Sequence, residues 1–314
     1  MMKAFVLEKA GPAENLKIKE IDKPPLKEGE ILVAVKAISI NPADVKIRAA
    51  EEGIKSMYAG AENIILGWDI AGTVEEVGSG VTHFKKGDKV FGMVNFPGQG
   101  NAYAEYVAAP ENQMAKIPDN VSFEEAAATT LAALTALQVL ENRVKKGDRV
   151  LIQAGSGGVG HFAIQIAKYY GAYVITTASG NNREFVMSLG ADEHIDYQKQ
   201  NFVDILSDID FVLDGIGGKV LEDSIKVLKE GGTIISLPTS KKVLEEMEAK
   251  TEKKIHTIPL LVHSDRAGMV TLSQFLADGT LEPTIFKTFP FDEMQEAHKE
   301  VEAGRTVGKI IVTL

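Results

Sequence analysis

Residues Gly155-Ser156-Gly157-Gly158-Val159-Gly160 fit the spacing G-x-G-x-x-G. Such a loop suits the pyrophosphate of a dinucleotide. Its glycines permit a tight turn and close approach of backbone amides, and the amino end of the next helix adds partial positive charge. The spacing alone is a weak signal, so its setting decides. Here the apolar run Arg149-Val-Leu-Ile-Gln-Ala154 precedes it, and helical periodicity follows at Val159, Phe162, Ala163, Ile166 and Tyr170. That order predicts strand, loop and helix, hence dinucleotide binding, against the plainer reading of a tight turn that binds nothing.

The end of the next apolar run points to one dinucleotide over another. It reads Thr176-Thr-Ala-Ser-Gly-Asn-Asn-Arg183, without the acid that takes the ribose hydroxyls in NAD-binding loops. Ser179, with Asn181 or Asn182, suits a 2′-phosphate and Arg183 can pair with it, so NADPH is favoured over NADH. The bland alternative is a polar loop followed by an ordinary helix-start arginine. A second chemistry overlaps the same loop, because Ala154-Gly-Ser156-Gly-Gly158 is one residue short of a hydrolase nucleophile elbow. That reading needs His256, His263 or His298 to complete a triad, whereas Ser156 is explained more simply as a phosphate ligand.

The chain contains no cysteine, which excludes disulfides, thiol nucleophiles, iron–sulfur clusters and thiolate zinc sites. The histidines His83, His161, His194, His256, His263 and His298 show no close metal-type spacing and read as surface or internally satisfied residues. A net charge of −10 repels nucleic acid, and no basic cluster offsets it. The uncharged stretch 126–140 is too short and too rich in threonine to span a membrane, and reads as a packed helix. The start of the chain meets an acid at Glu8 and has no long apolar run, so a cytoplasmic address is expected.

These motifs need elements to hold them. At roughly 150 residues per domain, 314 residues suggest two domains. Apolar residues at 45% and charged residues at 25% are ordinary for a globular protein. Short β-rich runs at 3–7, 30–40, 72–77, 89–94 and 102–108 predict a β-barrel or sandwich. From Ser122, which opens the capping-box pattern Ser122-Phe-Glu-Glu125, strands alternate with helices as in a parallel α/β sheet. Its six strands are predicted at 149–154, 173–178, 193–196, 211–214, 232–237 and 254–262. A last strand, helix and strand (285–289, 292–303, 308–313) return to the first domain. The resulting division is 1–121 and 264–314 around an inserted 122–263. The pattern Lys-Lys-Gly-Asp at 85–88 and 145–148 is read as shared turn chemistry, not a repeat.

Several motifs together resemble the medium-chain dehydrogenase/reductase superfamily, in its zinc-independent quinone oxidoreductase and enone reductase branch. They are Asn41-Pro-Ala-Asp44-Val-Lys46-Ile-Arg48, Gly67-Trp-Asp-Ile-Ala-Gly-Thr-Val-Glu-Glu-Val-Gly78, Lys86-Gly-Asp-Lys-Val-Phe-Gly92, Ala102-Tyr-Ala-Glu-Tyr-Val107, the glycine loop, Leu189-Gly-Ala-Asp-Glu-His-Ile-Asp-Tyr197 and Gly308-Lys-Ile-Ile-Val312. The resemblance spans the chain. It implies an α/β architecture, with a GroES-like β-barrel catalytic domain around an inserted Rossmann domain of six parallel strands and an active site in the cleft between them. Zinc-dependent relatives place metal ligands in the loop here carrying Asn41, at the position of Trp68 and near Leu131, and none of these is a plausible ligand.

The resemblance further implies hydride transfer from NADPH to a quinone or an α,β-unsaturated carbonyl. Such acceptors spread the new charge into a hydroquinone or enolate, so weak donors suffice. Asn41 and Lys46 resemble positions lining the substrate or nicotinamide pocket, although a turn amide and a solvated lysine are equally good readings. Trp68 and Tyr103 either wall that pocket or belong to the core. Asp44 and Arg48 read as a pair one helical turn apart. Thr135 matches a threonine near the nicotinamide, Tyr197 one that covers the adenosine phosphate, and Gly215 a strand end that passes close to the coenzyme. Arg305 reads as a solvated loop residue. The family often dimerises through the last Rossmann strand, here 254–262. A protein that binds NADPH without turnover, as a sensor or structural subunit, stays open beside the enzyme.

Overall fold

A computed structural model describes residues 1–314 throughout. The chain divides into two packed units, Met1–Leu134 with Val262–Leu314, and Thr135–Leu261. No helix is long and apolar enough to cross a membrane.

The first unit begins with strands β1 (Met2–Leu7), β2 (Leu16–Ile21), β3 (Glu30–Ile40), β4 (Asp69–Val77), β5 (Lys89–Met93), β6 (Tyr106–Pro110) and β7 (Met114–Lys116). Between β3 and β4 lie helices α1 (Pro42–Ala49) and α2 (Glu51–Tyr58), and after β7 come α3 (Phe123–Ala128) and α4 (Leu131–Leu140). The second unit alternates β8 (Arg149–Ile152), α5 (Gly160–Tyr169), β9 (Tyr173–Ala178), α6 (Arg183–Ser188), β10 (Glu193–Asp196), β11 (Ile209–Asp214), α7 (Gly218–Val227), β12 (Leu228–Ser236), α8 (Lys241–Lys250) and β13 (His256–Thr257). The chain then returns to the first unit with α9 (Arg266–Ala277), β14 (Ile285–Pro290), α10 (Met294–Glu302) and β15 (Lys309–Thr313).

Strand β3 organises the first unit. Nearly every residue of Glu-Ile-Leu-Val-Ala-Val-Lys-Ala-Ile-Ser-Ile is buried, which suits a central strand packed on both faces. One edge pairs antiparallel with β4, while the other is shared, its start by β6 and its end by β15. The sheet order is β14-β15-β3-β4-β5-β7, so the returning segment is joined to the first part by main-chain bonds. The β-rich runs of the sequence recur with shifted ends, and two strands escaped them. Strand β2 has only Leu16 buried, and β7 has three residues, too few to show a period. The two Lys-Lys-Gly-Asp segments are indeed the same turn. In each, the aspartate accepts the amide of the first lysine, Lys85 at 3.1 Å and Lys145 at 3.0 Å, and the glycine is left-handed at φ 92° and 89°.

All ladders of the second sheet are parallel, and its order is β10-β9-β8-β11-β12-β13. Numbered within the unit this is 3-2-1-4-5-6, which reverses direction between β8 and β11 and so opens a crevice beyond their carboxyl ends. The predicted strand at 254–262 shrinks to the pair His256–Thr257. One further bond at its end, Ile258 N to Ile234 O at 3.1 Å, extends it, and main-chain pairing with β12 then stops.

Ser122 caps α3 as the sequence predicts. Its Oγ accepts the Glu125 amide at 3.1 Å, and the Glu125 carboxylate accepts the Ser122 amide at 2.8 Å. Yet α3 packs on β3 and β4, so it lies with the first unit, and the change of unit falls within α4. Replacing Ser122 by Ala removes half of this reciprocal cap and is expected to lower stability by about 1 kcal/mol. Urea unfolding monitored at Trp68 would measure this as a lower midpoint with an unchanged slope.

Candidate active site

In the second unit the glycine loop turns directly off β8. Ala154 is left-handed at φ 56°, and its carbonyl accepts the Gly157 amide at 2.9 Å, closing the turn. Contact explains the glycines. A Cβ on Gly155 would stand 1.9 Å from Thr176 Oγ1, and one on Gly160 would stand 2.2 Å from the Ala154 carbonyl oxygen. Helix α5 therefore starts against the strand end and grows out of the loop itself, the His161 amide donating to the Gly157 carbonyl at 3.1 Å and the Ala163 amide to that of Val159 at 2.9 Å, so the partial positive charge of its amino end lies at the loop. Side chains lace the loop to its neighbours. Thr177 Oγ1 accepts the Ala154 amide at 3.2 Å and donates to Gln153 Oε1 at 2.6 Å, and Gln153 Nε2 donates to Ser224 on α7 at 3.0 Å. His161 is fully buried and its Nδ1–H donates to the Gly157 carbonyl at 2.9 Å.

The remaining predicted coenzyme residues follow strand ends of the same sheet, except Thr135, which lies on α4. Ser156 Oγ accepts from Asn182 Nδ2 at 3.1 Å, which ties the glycine loop to the Ser179–Arg183 loop. Arg183 is exposed at the start of α6, and Gly158 and Val159 complete the approach to α5. Tyr197 follows β10 with 61% of its surface exposed. Gly215 follows β11, and a Cβ added there would meet no protein atom within 4 Å. Thr135 is buried on α4. A glycine turn, a helix amino end and an acid-free polar loop fit a phosphorylated dinucleotide. They do not fit a hydrolase, because Ser156 accepts from an amide that cannot take its proton, and His298 is committed elsewhere.

In the first unit Asn41, Asp44, Arg48 and Tyr103, among the residues singled out by sequence, belong to a buried polar network. Asn41 caps α1 with Pro42 as the first helical residue. Its carboxamide donates to Asp69 Oδ2 at 2.8 Å and accepts from the Lys309 ammonium, while the Asp44 carboxyl accepts the Asn41 amide at 2.7 Å. Asp69 Oδ1 accepts the Leu131 amide at 3.1 Å. The segments of Asn41, Trp68 and Leu131 thus converge on one carboxylate and one ammonium. That arrangement does not fit zinc: the Asn41 oxygen is taken by a cation, the Trp68 indole N–H donates to Gly98 O at 2.7 Å, and Leu131 is aliphatic. No group of three or more His, Asp or Glu side chains is placed to hold a metal ion.

A second chain of bonds runs from α10 to Tyr103, beside Asp44. Arg48 does not pair with Asp44. It donates to the Gly11 carbonyl at 3.0 Å, pairs with Glu302, and faces His298 Nδ1 at 3.3 Å. A guanidinium only donates, so Nδ1 is the acceptor and Nε2 carries the hydrogen. Nε2–H therefore donates to Tyr103 Oη at 2.9 Å, which directs the tyrosine hydrogen toward the Asp44 carboxyl. Burial, then Arg48, pushes the His298 imidazole down to about 3, so the ring is neutral. Burial and then Asp44 push the Tyr103 hydroxyl up. Trp68 and Tyr103 are completely buried, Trp68 edge-on to Phe96, whereas Lys46 is exposed on α1.

From the sequence, Asp69 and Lys309 had no role, and His298 had only a place in the hydrolase triad. The available signal was a charge heading an apolar strand, in Asp69-Ile-Ala and Lys309-Ile-Ile-Val. Burial raises the Asp69 carboxyl and lowers the Lys309 ammonium, and each resists the other's shift.

Asp44 gives a pH prediction. Burial, with Asp69 next, raises its carboxyl to about 7, while the Asn41 amide, Lys309 and Tyr103 oppose the rise. The folded chain thus holds a proton that the unfolded chain releases near pH 4. This group's contribution is complete below that pH, is lost as pH rises to about 7, and is level above it. Asp44→Asn is therefore expected to gain on the parent by up to about 1.4 kcal/mol per pH unit across that window, read by urea unfolding at several pH values.

Comparison with known proteins agrees with this anatomy. Residues 27–119 match the alcohol dehydrogenase GroES-like domain, and residues 189–312 match the family described as zinc-binding dehydrogenase. The 2-methylene-furan-3-one reductase of Solanum lycopersicum is 35% identical over 322 residues, covering 99% of this chain and 79% of the relative. The chloroplastic NADPH-dependent alkenal/one oxidoreductase of Arabidopsis thaliana is 34% identical with the same coverages, 99% and 79%. The quinone oxidoreductase from Coxiella burnetii superposes with a TM-score of 0.93 at 37% identity, covering 100% of this chain and 99% of that one. Likeness across the whole length, with a GroES-like sheet and a 3-2-1-4-5-6 sheet in a single chain, places this protein in the medium-chain dehydrogenase/reductase superfamily, in its quinone oxidoreductase branch.

Proposed function

We propose that the chain is an NADPH-dependent reductase of quinones or α,β-unsaturated carbonyls. The observation that carries this is the glycine turn at the switch point of the parallel sheet, flanked by a second-strand loop with an arginine and no acid. Relatives named as NADPH-dependent alkenal/one and quinone oxidoreductases support it.

When bound, NADPH supplies a hydride to the acceptor. Gly155, Ser156, Gly157, Gly158, Val159 and Gly160 hold its pyrophosphate with backbone amides and the start of α5. Ser179 and Arg183 take the 2′-phosphate, Tyr197 covers the adenosine side, and Thr135 and Gly215 border the nicotinamide side. In the first unit, Lys46 is free to donate to the acceptor oxygen. Asn41, with Oδ1 and one Nδ2 hydrogen committed, fixes the start of α1, and Trp68 and Tyr103 support that segment from the core. An acceptor that delocalises its new charge needs no stronger acid, and solvent supplies the proton.

We further propose that copies pair along the β13 edge, where the segment after the strand leaves Leu261 64% exposed. Light scattering should give a dimer mass for the parent and a monomer mass for Leu261→Glu.

The function is tested by following NADPH absorbance with a panel of quinones and enones. Turnover with at least one acceptor class is expected, with NADPH preferred over NADH. Arg183→Ala should raise KM for NADPH about tenfold and leave NADH unchanged, as loss of one charge-assisted phosphate contact requires. NADPH binding without turnover across the panel would favour a sensor, and equal use of both coenzymes would remove Arg183 from the site.

A further inference from the structure

Asp214, the last residue of β11, is completely buried and has no cationic partner. Its carboxylate accepts only from neutral dipoles: the Ile216 amide at 3.0 Å, the Gly217 amide at 3.0 Å and the Ser236 hydroxyl at 2.6 Å. Thr239 Oγ1 lies 2.7 Å from Ser236 Oγ, and since the serine's one hydrogen goes to the carboxylate, the threonine donates. The Asp214 carbonyl also accepts the Leu237 amide at 2.9 Å. One residue therefore holds two loops, the turn 215–217 after β11 and the segment 237–239 after β12.

A buried charge without a counter-ion is costly, and an apolar side chain would close a sheet end without that cost. What the carboxylate holds is a turn of unusual shape. Gly217 and Gly218 are left-handed at φ 80° and 55°, Ile216 is half exposed, and the backbone at Gly215 faces open space. The turn lies at the carboxyl end of β11, on the far side of the switch point from the Ser179–Arg183 loop. A dinucleotide lying across a switch point puts its adenosine half on one side and its other half on the opposite side. With the 2′-phosphate at Ser179 and Arg183, the nicotinamide half falls on the β11 side.

We infer that Asp214 is a positioning residue for the nicotinamide half of NADPH, acting through the backbone of Gly215 and Ile216, with Ser236 fixing the carboxylate in turn. This rests on the coenzyme reading above. The inference separates the two halves of the ligand: disturbing Asp214 or Ser236 weakens what binds over β11 and spares what binds over β9.

The test is calorimetric titration of Asp214→Asn and Ser236→Ala with NADPH and with 2′,5′-ADP, the adenosine half carrying both phosphates. Asp214→Asn should weaken NADPH tenfold or more and Ser236→Ala several-fold, with 2′,5′-ADP within twofold of the parent in both. Ser236→Ala leaves the carboxylate and its amide bonds in place, so it reads the same split if Asp214→Asn fails to fold. Equal loss of both ligands, or unchanged NADPH affinity in the folded variants, overturns the inference and leaves the coenzyme reading standing. A parent chain that binds neither ligand overturns both.

Discussion

A single close contact governs how the second unit works. The start of α5 comes so near the end of β8 that a Cβ on residue 160 would sit 2.2 Å from the Ala154 carbonyl oxygen. No rotamer change relieves a clash with backbone, so only glycine lets the helix begin there. The amino end of the helix, with its partial positive charge, is thereby brought to the turn where the sheet order reverses. The Thr177, Gln153 and Ser224 bonds then fix the loop to strands and helix on both sides. The phosphate recognition proposed for this chain would follow from how closely two elements pack.

The first unit is constrained by charge. Asp44, Asp69 and Lys309 share one dry volume under the start of α1, two acids with one base. Removing one partner of such a set leaves an uncompensated charge in low dielectric, so the three behave as a unit. Its consequence reaches the surface through α1: the residue that caps the helix is pinned by Asp69 and Lys309, and Lys46 stands one turn further on. The fixed tautomer of His298 carries the same constraint from α10 through Tyr103.

How much of this was readable beforehand depended on whether the signal was local. The glycine turn, the Ser122 cap and both Lys-Lys-Gly-Asp turns are legible because each is made by residues within a few positions of one another. The six-strand parallel sheet is legible because apolar runs and helices alternate along the chain. The buried network was not, since His298 meets Arg48 across 250 positions and Lys309 meets Asn41 across 268. Local spacing instead suggested an Asp44–Arg48 pair, which tertiary partners for both residues displaced. The expected strand at 254–262 failed for the opposite reason: its composition was β-prone, but main-chain pairing with β12 stops after His256–Thr257 and one more bond.

Both units solve the corner between elements in the same way, with an aspartate that accepts main-chain amides, and the surroundings decide what that costs. At the surface it costs little. Burial works against Asp88, yet Lys116 with the Lys85 amide holds its carboxyl below the usual range. In the interior the balance reverses, and burial drives Asp44 and Asp69 upward despite their partners. An amide can be satisfied more cheaply by water or a hydroxyl at most corners. The chain nevertheless places wholly buried aspartates at three corners, before α1, after β11 and at the start of α4. These corners carry the residues proposed to meet the acceptor and the nicotinamide, where a fixed backbone is worth more than the stability a neutral side chain would restore.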